Sequence, residues 1–301
     1  MARSIFQPLN HKAFAILSEP GKVGAMSAEG DPIYYDSHMH TPLCGHAYGE
    51  PEEYAMQAMG MGLKGIIFTC HSPMPEGFWP GVRMADDEFD EYVAMVQRAA
   101  EAFEGRIDVR LGIESDFFPG YEDWLEKLHN RAEFHHVLGS VHYFGPEYQE
   151  AFWQGDRFKF RQQYFEHLAE SAETGLFDTL AHPDLVKNLA PHEWDFEEMR
   201  ETIASALDRI AATGVAMEIN TSGVNKSLPQ MNPGPEMLAM MCERSIPVVI
   251  GSDSHVPDRV GIDFDEALDS LEQAGYSNVS YFLNRERRDV PIEDVRRTMA
   301  L

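Results

Sequence analysis

Seven histidines and two carboxylates in this chain follow short apolar runs that are rich in strand-forming residues. Imidazole nitrogens and carboxylate oxygens are preferred protein ligands of transition-metal dications. One ion takes roughly four to six ligands, so nine such groups indicate a cluster of two or three divalent ions. Clusters of this kind usually hydrolyse phosphate esters. The nine candidate ligands are His38, His40, His46, His71, Glu114, His142, His182, Asp253 and His255.

Two pairs among these residues are spaced so that one strand end could hold one ion. His38 and His40 are two positions apart, and so are Asp253 and His255. Side chains at i and i+2 point to the same face of a strand, so each pair can present both groups to a single ion. Glu114 ends the run IDVRLGIE, where a carboxylate is costly unless a metal ion or an arginine compensates its charge.

His142 and His182 each end an apolar run. Taken alone, either one is more often a hydrogen-bonded histidine of the core than a ligand. Their place in an ordered set of nine favours ligation. Cys44 and Cys70 lie near the histidines in the sequence, and small buried packing residues are the simpler interpretation for both.

Short β-rich runs alternate with longer amphipathic stretches, which predicts a parallel sheet with helices outside it. An open doubly wound sheet would gather its ligands from about two strands at one switch point. Here seven strand ends carry a polar group, and only a closed or nearly closed barrel brings seven strand ends together. These groups are His38, His71, Glu114, His142, His182, Asn220 and Asp253. The predicted strands are 33–37, 65–69, 109–113, 137–141, 179–181, 215–219 and 247–251, with 279–282 as an edge or closing element. The predicted helices include 86–103, 195–212 and 263–274.

The chain of 301 residues suits one large α/β domain. We expect residues 33–301 to form the barrel and residues 1–32 to be an N-terminal extension.

A net charge of −26 argues against a nucleic-acid partner. The sequence lacks a secretory apolar region and a run of the ~20 apolar residues that a membrane helix needs. Its three cysteines have no CxxC spacing, so we expect a cytoplasmic protein without a membrane partner. The oligomeric state stays open.

The motifs resemble those of the PHP (polymerase and histidinol phosphatase) superfamily, and within it those of monofunctional histidinol-phosphatases. They are DSHMHTPLCGHA, TCHSPMP, GIESDFFPG, GSVHYFG, AHPDL, INTSG and GSDSHVP. The resemblance covers residues 34–283 and includes all nine candidate ligands in order. It implies an α/β fold, a distorted (β/α)7 TIM-like barrel, that holds up to three zinc, manganese or iron ions.

The resemblance also implies how the ligands divide among the ions, with Glu114 as a bridge between the first two. The first ion would take His38, His40, Glu114 and Asp253, the second Glu114, His142 and His182, and the third His46, His71 and His255.

The sequence departs from the family pattern at two places. Many relatives have aspartate where this chain has Cys70, a group expected beside the ligands. Many histidinol-phosphatases carry an arginine just after the NTSG segment, where this chain has Asn225 and Lys226. Arginine binds phosphate through two hydrogen bonds at once, whereas lysine acts as a point charge.

The expected function is metal-dependent hydrolysis of a small phosphate monoester, L-histidinol phosphate to L-histidinol and phosphate, in histidine biosynthesis. One alternative is another PHP phosphoesterase that acts on a sugar phosphate, a nucleotide or a cyclic phosphodiester. Another is a non-catalytic metal-binding or polymerase-associated PHP module, which the complete ligand set and the acidic charge disfavour. Asp253, His255 or His71 could pass a proton to the leaving oxygen. Candidate substrate-binding residues are Arg161, Lys226, Arg259, Asn220 and Ser222.

Overall fold

The computed structural model describes residues 31–75 and 77–299. Most of the predicted N-terminal extension, residues 1–30, lies outside this range. The strands in the described part are β1 Tyr35–Asp36, β2 Gly65–Phe68, β3 Asp108–Asp116, β4 His136–Ser140, β5 Thr179–Leu180, β6 Ala216–Asn220, β7 Val248–Gly251, β8 Asn278–Leu283 and β9 Glu286–Pro291. The α-helices there are α1 Pro51–Gly60, α2 Phe89–Ala102, α3 Glu122–His129, α4 Pro146–Phe152, α5 Arg157–Glu173, α6 Phe196–Thr213, α7 Pro235–Glu243, α8 Phe264–Ala274 and α9 Ile292–Thr298.

Local sequence signals explain where the helices begin and end. The Asp195 carboxylate accepts a hydrogen bond from the backbone N–H of Glu197 and caps α6, which ends at Gly214 in the left-handed region with φ 79°. In α8, the apolar stripe Phe264, Leu268 and Leu271 is fully buried, as the helical period predicts. The predicted helices at 195–212 and 263–274 are therefore confirmed within one residue at each end.

The sheet places consecutive strands side by side, in the order β1 to β9. Every neighbouring pair from β1 to β8 is parallel, and only the β8–β9 pair is antiparallel. Each of the seven connections between successive parallel strands contains at least one helix, and the helices in these connections are α1 to α8. Because the strands run in the same direction, all their carboxyl ends reach the same rim.

The segments after β1 and β7 meet at this rim. Met39 and Ser254 form a parallel bridge, in which His40 N–H donates to Ser254 O at 2.9 Å and Ser254 N–H donates to His38 O at 3.1 Å. Next to the bridge, the Asp36 carboxylate accepts from the N–H of Ser252 at 3.1 Å. These bonds join the first strand to the seventh, as a distorted seven-stranded barrel requires.

A tyrosine hydroxyl adds a further link between the first and seventh strands. Tyr34 Oη accepts from the backbone N–H of Ile250 at 3.0 Å and donates to the carbonyl of Ser280 at 2.9 Å. The hydroxyl thereby links the segment before β1 with both β7 and β8. The α/β barrel class predicted from the sequence is confirmed.

The β9 strand extends the sheet beyond the strands that the apolar pattern predicts. Its sequence ERRDVP is almost wholly exposed. Asn284 and Arg285, both at positive φ, turn the chain back so that β9 pairs with β8. No helix in the described part of the chain is long and apolar enough to cross a membrane.

Candidate metal centre

The nine candidate ligands lie together at the rim formed by the carboxyl ends of the strands. Eight of them stand in a strand or within four residues of its end, while His46 comes from the loop that follows β1. Neighbouring imidazole rings form a continuous array, with ring centroids between 4.0 and 6.5 Å apart. The structure thus brings the predicted residues within reach of one cluster of ions.

Glu114 lies at the centre of the cluster and is fully buried. Five imidazole nitrogens come within 4 Å of its carboxylate, so one side chain faces two groups of histidines. Its Oε2 lies 2.8 Å from His71 Nδ1, 3.5 Å from His38 Nε2 and 3.8 Å from His40 Nε2, and its Oε1 lies 3.1 Å from His182 Nε2 and 3.7 Å from His142 Nε2.

Asp253 forms the second acidic centre. Its Oδ1 lies 3.1 Å from His40 Nε2 and 3.7 Å from His38 Nε2. Its Oδ2 faces away from these rings, accepting from Ser222 Oγ at 2.9 Å and lying 3.7 Å from Lys226 Nζ. One oxygen therefore points to candidate ligands, and the other points to groups that could contact a substrate.

His46 and His255 make a third corner, with ring centroids 4.5 Å apart. The Nδ1–H of His46 donates to the carbonyl of Cys44 at 2.9 Å, and that of His255 donates to the carbonyl of Asp253 at 3.1 Å. These bonds fix the tautomers so that Nε2 of each ring is the free ligand atom.

The donor set fits divalent metal ions. Two of its atoms, His38 Nε2 and His255 Nε2, are buried without a hydrogen-bond partner among the described residues. Burial would raise the pKa of Glu114, yet the neighbouring His71 and His38 hold that pKa well below its usual range. Burying polar ligand atoms without a partner around a charged carboxylate costs free energy of folding, unless a cation binds them.

Two of the candidate ligands occupy unusual backbone conformations. His182 has φ 30° and Asp253 has φ 50°. A residue with a side chain rarely adopts positive φ, and such strain concentrates at functional sites. Both residues lie two positions after a strand, and their side chains reach Glu114 and His40, respectively.

Glu218 holds two sides of the cluster in place, although the sequence analysis did not single it out. Its Oε1 accepts from His38 Nδ1–H at 2.7 Å, and its Oε2 accepts from the backbone N–H of His182 at 2.8 Å and from Asn220 Nδ2 at 3.0 Å. The side chain crosses Gly251, where a Cβ would lie 2.0 Å from Glu218 Oε1. In the sequence, the position of this carboxylate inside the apolar run VAMEIN is the feature that could have indicated its role.

Replacing Glu218 with glutamine is expected to weaken metal binding by about 10–100-fold, because groups that orient ligating histidines typically contribute that much. The amide keeps the shape of the side chain but loses the charge that makes His38 a stronger ligand. Competition with a chromophoric chelator would measure the affinity. Glu243→Gln, on the exposed face of α7, is the matched control, and equal affinities of the two variants would reject this role.

Asp116 and Arg83 support the opposite side and were also not predicted. Asp116 Oδ1 accepts from His142 Nδ1–H at 2.6 Å, and its Oδ2 pairs with Arg83 Nη2 at 2.6 Å. Burial would raise the pKa of Asp116, but Arg83 and His142 lower it below its usual range. Asp116 lies two residues after Glu114 and so on the same face of β3, a spacing visible in the sequence.

A cavity of about 60 Å³ opens beside the cluster. His46, His71 and His142 line one side. Trp79 and Phe144 line the other, with ring centroids 5.1 Å apart in an edge-to-face arrangement. The site therefore combines charged donors with an aromatic wall.

The predicted substrate-binding residues have different surroundings. Asn220, Ser222 and Lys226 lie beside Glu218 and Asp253 at the cluster. Arg259 pairs with Asp263 at 2.8 Å. Arg161 is buried, and its guanidinium donates to the carbonyls of residues 189, 190 and 193. The structure thus places three of these five side chains at the cluster and commits the two arginines to other partners.

The chain is similar to known proteins over most of its length. A model of the PHP domain matches residues 36–222. A probable histidinol-phosphatase of Deinococcus radiodurans is 38% identical over 252 residues, which cover 82% of this chain and 95% of that protein. The histidinol-phosphatase of Bacillus subtilis is 25% identical over 78% of this chain and 98% of its own length.

A solved structure has the same fold. It is histidinol phosphate phosphatase from Lactococcus lactis, in complex with zinc, L-histidinol and phosphate. The TM-score is 0.72 at 19% sequence identity, over 85% of this chain and 98% of that one.

Proposed function

The chain belongs to the PHP domain family, and we propose that it is a metal-dependent phosphatase that converts L-histidinol phosphate to L-histidinol and phosphate. The main structural support is the buried Glu114 carboxylate, which has five imidazole nitrogens within 4 Å. The similarity to histidinol-phosphatases supports this choice of substrate. The imidazole and carboxylate donors support the dependence on metal.

We propose two or three zinc, manganese or iron ions, held by the nine residues in the division that the family resemblance implies. When bound, adjacent dications lower the pKa of a water and neutralise the charge that develops on the phosphoryl oxygens. Glu114 would hold the first two ions at a fixed separation. Glu218 and Asp116 would orient His38 and His142, so that the ligands need no rearrangement when substrate arrives.

Groups of the chain itself bind the phosphate and return a proton. Lys226 Nζ and Ser222 Oγ lie beside Asp253 Oδ2 and can donate to a phosphoryl oxygen. Asp253, His255 and His71 remain the candidates for passing a proton to the leaving alcohol.

The wall formed by Trp79 and Phe144 suits the rest of the substrate. An imidazole can stack on an aromatic ring, and a protonated amine is attracted to its face. Phe144 is 48% exposed, so its ring is available to a ligand. This arrangement favours an amino-imidazole alcohol over a sugar as the leaving group.

The proposal is tested by measuring phosphate release from a panel of monoesters and diesters with metal-replete protein. We expect the highest kcat/KM with L-histidinol phosphate. Sugar phosphates, nucleotides and cyclic diesters should react more slowly. Rapid turnover of one of these compounds with none of histidinol phosphate would move the assignment to another phosphoesterase of the family.

Replacing Lys226 with alanine is expected to lower kcat/KM by about 10–100-fold, mainly through a higher KM, because a charge-assisted hydrogen bond to the phosphate is lost. Metal content should not change, since Lys226 is not among the candidate ligands. Lys127→Ala, on the exposed face of α3, is the control. An unchanged KM for Lys226→Ala would remove this residue from phosphate binding.

A further inference from the structure

A short helical turn carries Cys44 into the cluster. The turn spans Pro42–Cys44, with Cys44 N–H donating to Thr41 O at 3.1 Å. Gly45 follows in the left-handed region with φ 80°, a conformation that glycine adopts without strain. This reversal buries the Cys44 side chain, which is 1% exposed, and returns the chain so that His46 faces the other histidines.

The sulfur of Cys44 is close to two groups of histidine donors. Ligand atoms of Cys44, His46 and His255 all lie within 4.8 Å of one another. The same holds for Cys44, His40 and Cys70. His255 Nε2 and His40 Nδ1 are both buried without a hydrogen-bond partner among the described residues, and His40 is fully buried. Donors this close can share a tetrahedral ion after small side-chain rotations.

The second cysteine has another task. Cys70 Sγ accepts from both the N–H and the hydroxyl of Thr41, at 3.3 Å each, and its own S–H points to the carbonyl of Thr41 at 3.6 Å. Three contacts to one residue tie Cys70 to the start of the turn. Cys70 therefore helps to position the turn that carries Cys44.

We propose that Cys44 is a fourth ligand of the third ion. Its sulfur lies within 4.8 Å of the ligand atoms of His46 and His255, and His71 is the remaining ligand that the family resemblance implies for this ion. Thiolate is a soft donor that favours zinc over manganese. This position therefore selects a thiophilic ion, whereas the other two positions offer only imidazole and carboxylate ligands and do not. Binding releases the thiol proton to solvent as the sulfur–metal bond forms. The inference rests on the proposed metal cluster but not on the identity of the substrate.

The test is the absorption spectrum of the full chain loaded with Co²⁺. A cysteine thiolate bound to Co²⁺ gives a near-ultraviolet charge-transfer band that nitrogen and oxygen ligands do not give. We expect the band in the wild-type protein and in Cys70→Ser, and its loss in Cys44→Ser. Competition between Zn²⁺ and Mn²⁺, followed by metal analysis, should show the zinc preference of one ion falling by about 10–100-fold in Cys44→Ser.

Cys242→Ser is the matched control. Cys242 lies on α7 beside Gly275 and is in none of the groups of potential metal ligands among the described residues, so its variant should keep the band. A wild-type protein that binds Co²⁺ without the band overturns the role of Cys44 and leaves the metal cluster standing. Loss of the band in Cys70→Ser but not in Cys44→Ser also overturns it. A wild-type protein that binds no Co²⁺ or Zn²⁺ refutes the cluster itself, and with it this inference.

Discussion

Replacing Glu114 with glutamine is expected to lower kcat/KM for phosphate release by about 10²–10⁴-fold, because a loss of several kcal/mol of transition-state stabilisation corresponds to that range. Glutamine has nearly the same shape but no negative charge, and two adjacent dications need that charge between them. Metal analysis of the purified variant should show fewer ions per chain than in the wild type. Far-ultraviolet circular dichroism should be unchanged.

The control for this variant is Glu126→Gln, on the exposed face of α3, which should keep both activity and metal content. Glu114→Gln with wild-type turnover and a full complement of metal would contradict the bridging role. A variant that keeps its metal but loses turnover would instead limit Glu114 to the chemical step.

Much of the fold could be predicted because the apolar runs that form β2, β4 and β7 are fully buried, and burial makes a strand visible as a continuous apolar run. The final strand, Glu286–Pro291, could not be predicted from this signal. It is exposed, and its pairing depends on the turn at Asn284 and Arg285 rather than on burial.

The candidate ligands could be collected from the sequence because a parallel barrel delivers every strand's carboxyl end to one rim. The groups behind them could not be found in the same way. Arg83 meets Asp116 across 33 positions of sequence, and nothing in its local pattern marks it as buried. Similarly, Arg161 was expected to face the site, but three backbone carbonyls take its guanidinium, a pairing that depends on how the loop after β5 folds.

Removing the metal ions with a chelator is expected to abolish phosphate release, and Zn²⁺, Mn²⁺ or Fe²⁺ should restore it. Chelation should also lower the melting temperature, because ions that bind only the folded chain stabilise it by mass action.

After chelation, protonated histidines must balance the charge of the buried carboxylates. Burial lowers the pKa of His40, but hydrogen bonds to Asp253 and Cys44, together with the charges of Glu114 and Asp253, outweigh burial and raise this pKa from 6.5 to about 9.

The sign of the resulting pH dependence follows from this raised pKa. A histidine whose pKa is higher in the folded chain stabilises the fold fully below pH 6.5 and loses that contribution as the pH rises to about 9. The chelated protein should therefore lose stability between these two pH values, by up to about 3 kcal/mol from His40 alone. The metal-loaded protein should change little over the same interval, because the ions and not protons compensate Asp253. Urea unfolding at both pH values, with and without chelator, measures the difference. Equal pH slopes for the two forms would show that the cluster carboxylates do not depend on metal for their charge balance.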